Sequence, residues 1–180
     1  MALKNKLLYK DDKRIYIFLG IMSLIVFLLS SSVLPFISDG KVGPEGNLVL
    51  CFVCLIPAFV PMKSAAIFAL VLGFLCDLFI YSPESFSPIV FLVGVFVVSY
   101  LYRFFSRTGT LVMAVCSLPC LALKMVLDTF AVMASHNDSG AFDVISKLTL
   151  PSLAINFAFA IAAAFILRLL TRKLGIFHKN

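Results

Sequence analysis

Apolar residues along this chain come in runs of 14 to 25, and polar residues are gathered between the runs instead of alternating with them. A helix rising 1.5 Å per residue needs about 20 apolar residues to cross roughly 30 Å of hydrocarbon. That ruler divides the chain into six helices, over 15–37, 48–61, 64–81, 86–102, 111–135 and 150–170. They predict an all-α integral membrane protein, with a single six-helix bundle over 15–170, a polar leader over 1–14 and a basic tail over 171–180.

The second run is the short one. Fourteen residues interrupted by Pro57 would cover only about 21 Å, so it needs tilted neighbours, a thinned bilayer or a re-entrant shape. The first run is long enough to rival a signal peptide. Its 23 apolar residues exceed a usual signal core, and Ser30-Ser31-Ser32 is a poor cleavage site, which favours a retained helix. Pro88 falls in the first turn of the fourth helix, where proline is tolerated.

Basic residues then orient the bundle, because those near helix ends gather on the cytoplasmic side. With six crossings, one side carries Lys4, Lys6, Lys10, Lys13, Arg14, Lys63, Arg103, Arg107, Arg168, Arg172, Lys173 and Lys179, while the other has Lys41 and Lys147. Both termini are therefore expected in the cytoplasm. Five crossings would put the last four of these residues outside, which argues that the short second helix crosses.

Composition narrows the functions. The chain is 62% apolar and 13% charged with a mean hydropathy of +1.08, which disfavours a soluble enzyme and a disordered tail. The net charge of +6 is spread in clusters between apolar runs, so no nucleic-acid partner is expected. No loop exceeds 14 residues, and none carries a P-loop, an HExxH or a GxSxG motif, so neither a catalytic residue nor a cofactor is expected. Cys51 and Cys54 have metal-pair spacing, but His136 and His178 lie far off in polar segments; these two and Cys76, Cys116 and Cys120 read as buried small apolar residues, with no metal.

Three ionisable residues fall inside apolar runs: Asp77, Lys124 and Asp128. Each costs roughly 2.5 to 3.5 kcal/mol at mid-bilayer on insertion scales, so each needs a partner or a role. Lys124 and Asp128 share a helix face one turn apart. Counted from their helix starts, Asp77 and Lys124 each lie about 20 Å in, so the three are expected to form one cluster. Such a cluster would orient helices, bind a polar substrate or contact a partner. In the last helix Ala154, Ala158 and Ala162 recur every four residues near Ser152 and Asn156, a small-residue packing face for which a neighbour within the bundle is favoured over a partner. Tyr9, Tyr16, Tyr81, Tyr100 and Tyr102 sit near helix ends, as in an interfacial aromatic belt.

From Gly73 the chain reads Gly-Phe-Leu-Cys-Asp-Leu-Phe-Ile-Tyr-Ser-Pro, which resembles the signature stretch of the rod shape-determining MreD family, a G-x-x-x-D helix followed by a Ser-Pro turn. Gly73, Asp77, Ser82 and Pro83 match in type and spacing. The likeness extends through Ser31 to Pro35, Pro44 and the Leu150-Pro151 helix start. Ser85 and Tyr81 depart from it, standing where the family favours glycine and small residues, and Lys124 is not part of the pattern. The resemblance implies a non-enzymatic scaffold in the bacterial cytoplasmic membrane, acting with MreC to couple MreB filaments to peptidoglycan synthases, and in contact with membrane lipids. It makes Gly73, Asp77, Ser82 and Pro83 candidates for a helix-docking patch. The fold it implies is similar to that of the substrate-binding subunit of energy-coupling-factor vitamin transporters. Such a subunit is the alternative function, and it would require a polar outward pocket; a lipid-modifying enzyme ranks third, for want of a nucleophile and base within reach of each other.

Overall fold

The structure is a computed structural model of the full chain, and it describes residues 13–32, 47–79, 87–105, 109–135 and 150–173. These form α1 (Lys13–Ser32), α2 (Leu48–Leu55) running into a 3-10 turn (Ile56–Ala58), α3 (Met62–Phe79), α4 (Ser87–Phe104), α5 (Thr110–Ser135) and α6 (Leu150–Lys173). All six predicted helices are present, with ends within a few residues of those expected where they are described. The second differs most. It ends as regular helix at Leu55 instead of Pro61, because Pro57 cannot donate to the ladder and the chain tightens into the 3-10 turn. Four helices, α1, α3, α5 and α6, are long and apolar enough to cross a membrane, while Leu48–Ala58 and Ser87–Tyr102 are shorter apolar segments. Pro119 lies inside α5 without ending it; Ser117 donates from its hydroxyl to the Ala114 carbonyl at 2.6 Å just before it.

Side-chain contacts fix the helix directions. The Tyr16 hydroxyl lies 3.3 Å from that of Ser64, and Phe27 meets Phe79 edge-on at 6.1 Å, so α1 and α3 run parallel. Gly73 against Pro88 makes α3 and α4 antiparallel. Gly94 against Cys120, and the Tyr102 hydroxyl donating to the Met113 carbonyl at 3.4 Å, do the same for α4 and α5. Arg168 donates to Thr110 at 3.1 Å, which sets α6 antiparallel to α5. Since α1 and α3 point the same way, the chain between them must return along the bundle. Among the described residues α2 and its 3-10 turn are what returns.

That short helix is the core. Val49 through Ile56 are each at most 1% exposed, and α2 packs on all five other helices, which follow one another around it in the order α1, α3, α4, α5, α6. A helix apolar on every side belongs in such a position. Its first turn is capped from within: Asn47 accepts from the Leu50 N–H at 2.9 Å, and Asn156 of α6 accepts from the Asn47 N–H at 2.6 Å. The Cys51 thiol donates to the Asn156 carbonyl at 3.2 Å. Asn156 is itself fully buried.

The outward faces are apolar. Ile17, Ile21, Leu24 and Leu28 of α1, and Ile67, Val71, Phe74 and Leu78 of α3, are each more than half exposed at helical spacing. A continuous greasy surface of this kind matches lipid, not water.

Two substitutions test the packing. A β-carbon at Gly73 would stand 2.7 Å from the Pro88 nitrogen and nearer still to its α-carbon, whereas one at Gly20 would meet nothing within 4 Å. Gly73→Ala is expected to lower stability by about 1–3 kcal/mol, the usual cost of overpacking, and Gly20→Ala to raise it by up to about 1 kcal/mol through helix propensity. Detergent-denaturant titration of both purified variants checks this; equal effects would refute the close α3–α4 approach. By the same titration Asn156→Leu should cost about 1–3 kcal/mol, since it strands the Asn47 N–H in a part-buried site.

Candidate functional site: the two ends of the bundle

The helix directions sort the charged residues. Lys13, Arg14, Lys63, Arg103, Arg168, Arg172 and Lys173 all lie at the end of the bundle where α1, α3 and α5 begin and α2, α4 and α6 finish. Lys124 is the one described basic residue elsewhere. The described carboxylates, Asp77 and Asp128, lie toward the opposite end. The asymmetry expected from alternating crossings is thus the asymmetry of the folded chain.

The expected cluster of Asp77, Lys124 and Asp128 does not assemble across helices. α4 stands between α3 and α5, which do not pack along one another, and Oδ1 of Asp77 meets no donor among the described residues. Their depths differ too. Counted from the Gly73–Pro88 contact, Asp77 is level with a point before α4 begins, while Lys124, counted from Gly94–Cys120, is level with Val90. That puts Asp77 about 9 Å further from the basic end, at 1.5 Å per residue. Equal counts from two helix starts misled because neighbouring helices are staggered. Asp128 follows Lys124 by one turn of α5, but its side chain lies outside the described residues, as do Ser82 and Pro83.

Lys124 is 8% exposed, and counting along α5 and α6 from the Arg168–Thr110 contact sets it level with the turn carrying Ser152 and Asn156. Those two are 7% and 0% exposed. Sequence reasoning singled out each of these residues without seeing that they share a layer beside the capped start of α2. No count from the helix ends aligns them; the register comes from the Arg168–Thr110 contact.

Asp77 sits in the last turn of α3, partly buried. Its Oδ1 is shielded from solvent and accepts no hydrogen bond among the described residues. On the same helix Phe74 and Leu78 are 59% and 75% exposed. Gly73, by contrast, is consumed inside the chain: it lets the α3 backbone press on Pro88, so the expected patch of Gly73 with Asp77 divides into an internal contact and a shielded acceptor one turn further along α3.

The small-residue face of α6 is also displaced from its expected place. Ala154, Ala158 and Ala162 are exposed, and the face turned to the bundle is Ser152, Asn156, Ala160 and Ala164, two residues out of phase. Both stripes repeat every four residues, and the buried one holds the polar groups that the α2 cap requires. The expected internal role therefore passes to Ala160 and Ala164, and Ala154, Ala158 and Ala162 remain an open, shallow strip. The five cysteines are buried and free.

No curated protein and no solved structure matches the chain. The sequence does match the family model of the rod shape-determining protein MreD, over residues 12–174. That span runs from the end of the polar leader through all six helices, and it includes the Gly73 to Pro83 stretch that carried the resemblance. Together with the four long apolar helices, the match fits a multi-pass membrane protein with a part in rod-shape determination. The chain belongs to the MreD family of rod shape-determining proteins.

Proposed function

We infer that this protein is a non-enzymatic scaffold of the bacterial cell-elongation machinery, which crosses the cytoplasmic membrane six times and acts with MreC to couple MreB filaments to peptidoglycan synthesis. The observation that carries this reading is the family match over residues 12–174. Six crossings accord with the alternating helix directions, and cytoplasmic termini with the basic end of the bundle. In this reading α2 crosses as a sheltered segment, and the bundle is of the kind used by energy-coupling-factor substrate-binding subunits.

The docking element for a partner helix is the outer part of α3, where Asp77 offers an unmet acceptor beside the exposed Phe74 and Leu78. A buried carboxylate oxygen without a donor is costly in the membrane, and a donor from a second chain removes that cost. The strip of Ala154, Ala158 and Ala162 on α6 gives a second place where a helix backbone can come close.

A tagged chain purified in detergent from its native membrane, with mass spectrometry of bound proteins and small molecules, tests the reading. MreC or wall synthases should co-purify without a stoichiometric ligand. Recovery of a vitamin-like ligand or an ABC-type ATPase pair would replace the scaffold by a transporter subunit. Asp77→Asn should lower MreC yield several-fold while inserting normally; wild-type yield in that variant would move the docking element off α3.

A further inference from the structure

The geometry points to a binding site for the phosphate of an anionic phospholipid, in the cleft between the start of α5 and the end of α6. A cleft of about 140 Å³ opens there, lined by Thr110, Phe165, Arg168 and Leu169. Its floor is polar. The part-buried Arg168 is held beside the first residue of α5 by the 3.1 Å hydrogen bond from its Nη1 to the Thr110 hydroxyl, so one of five guanidinium N–H groups is used and the rest of the fork remains to meet two oxygens of a phosphate.

The surroundings favour an anion. Backbone bonding within α5 begins with the Met113 N–H to the Gly109 carbonyl, so the N–H groups of the first turn add to the positive field at Thr110, and no acidic residue stands in that turn. Arg172 and Lys173 follow on α6. Among the described residues no carboxylate lies at this end.

Size and polarity select a lipid over a soluble metabolite. Pockets for small molecules usually measure roughly 300–1,000 Å³, and this cleft holds little more than a phosphate group. Its walls are greasy and open outward: Phe165 and Leu169 are 56% and 42% exposed, one turn apart on α6, and Ile166 between them is 49% exposed. A headgroup phosphate on Arg168 would thus leave its acyl chains along surface that already faces the membrane. Arginine at headgroup depth with an apolar flank is the chemistry that recognises an anionic lipid. The site rests on the reading that this end faces the cytoplasmic leaflet.

The full chain, reconstituted in phosphatidylcholine vesicles with a small fraction of chain-spin-labelled phosphatidylglycerol, reads the site. Wild type should hold a motionally restricted lipid fraction several-fold larger for labelled phosphatidylglycerol than for labelled phosphatidylcholine. Arg168→Gln should bring the two to parity, and Arg168→Lys should retain part of the preference. Thr110→Val, which frees the arginine from its tether, should weaken it and serves if Arg168→Gln does not fold. Lys63→Gln removes an exposed charge at the same end and should leave the preference intact; an equal loss there would mean diffuse rim attraction and overturn the site. Parity in wild type, or full preference in both Arg168→Gln and Thr110→Val, would also overturn it. Displacement of the restricted lipid by millimolar inorganic phosphate would reassign the cleft to a soluble anion. A reporter fused to the C terminus in intact cells reads orientation separately, so a misplaced basic end and an unselective cleft give different results.

Discussion

A backbone in hydrocarbon has no water to bond with, so a helix shorter than the hydrocarbon is thick must have its ends sheltered by protein. The eight residues of α2 and the turn after them are in that position, and much of the bundle follows from it. Five longer helices enclose α2, which is why its side chains are so completely buried among the described residues. Its N–H groups at the buried end still need acceptors. Asn47 supplies one from within, and Asn156 reaches from α6 to supply the next, so the phase of α6 is set by a hydrogen bond and not by apolar matching.

Close packing follows from the same solvent. Lipid tails are as apolar as leucine, so burying leucine gains little, and association depends on contact and on polar links. Close approaches occur at small residues, Gly73 on Pro88 and Gly94 on Cys120, which fasten α3, α4 and α5 into successive hairpins. Large apolar residues also cover the outside, where Phe74 and Leu78 stand exposed.

Helix number, helix ends and the basic end were legible from run lengths and from the placement of lysine and arginine, because hydrocarbon thickness and membrane charge asymmetry act on the sequence directly. Asp77, Lys124 and the Ala154 stripe show where that legibility stops. Each was found as a position, but its neighbours depend on stagger and on which helix lies between two others. Nothing in the Lys124 segment says that α4 separates it from Asp77. In α6, apolar on nearly all sides, two four-residue stripes of small residues are equally good until Asn156 is seen to cap α2. The family signature fared differently at each residue: Gly73 marks a helix contact within the chain, while Asp77 is left with an acceptor to fill.

The disposition of polar groups bears on scaffold against transporter. A substrate-binding subunit must keep inward polar side chains available to a ligand. Here Asn156 and Asn47 are engaged in holding α2, and Ser23, Ser117 and Thr171 return their hydroxyls to carbonyls of their own helices. Among the described groups with capacity to spare, the Ser99 hydroxyl is buried without a partner, while Asp77 lies at one end of the bundle beside an exposed apolar face and the Arg168 fork at the other beside a phosphate-sized cleft. Inward bonding spent mostly on rigidity, with capacity kept at the two rims, suits a platform between other membrane components. A carrier would need the reverse.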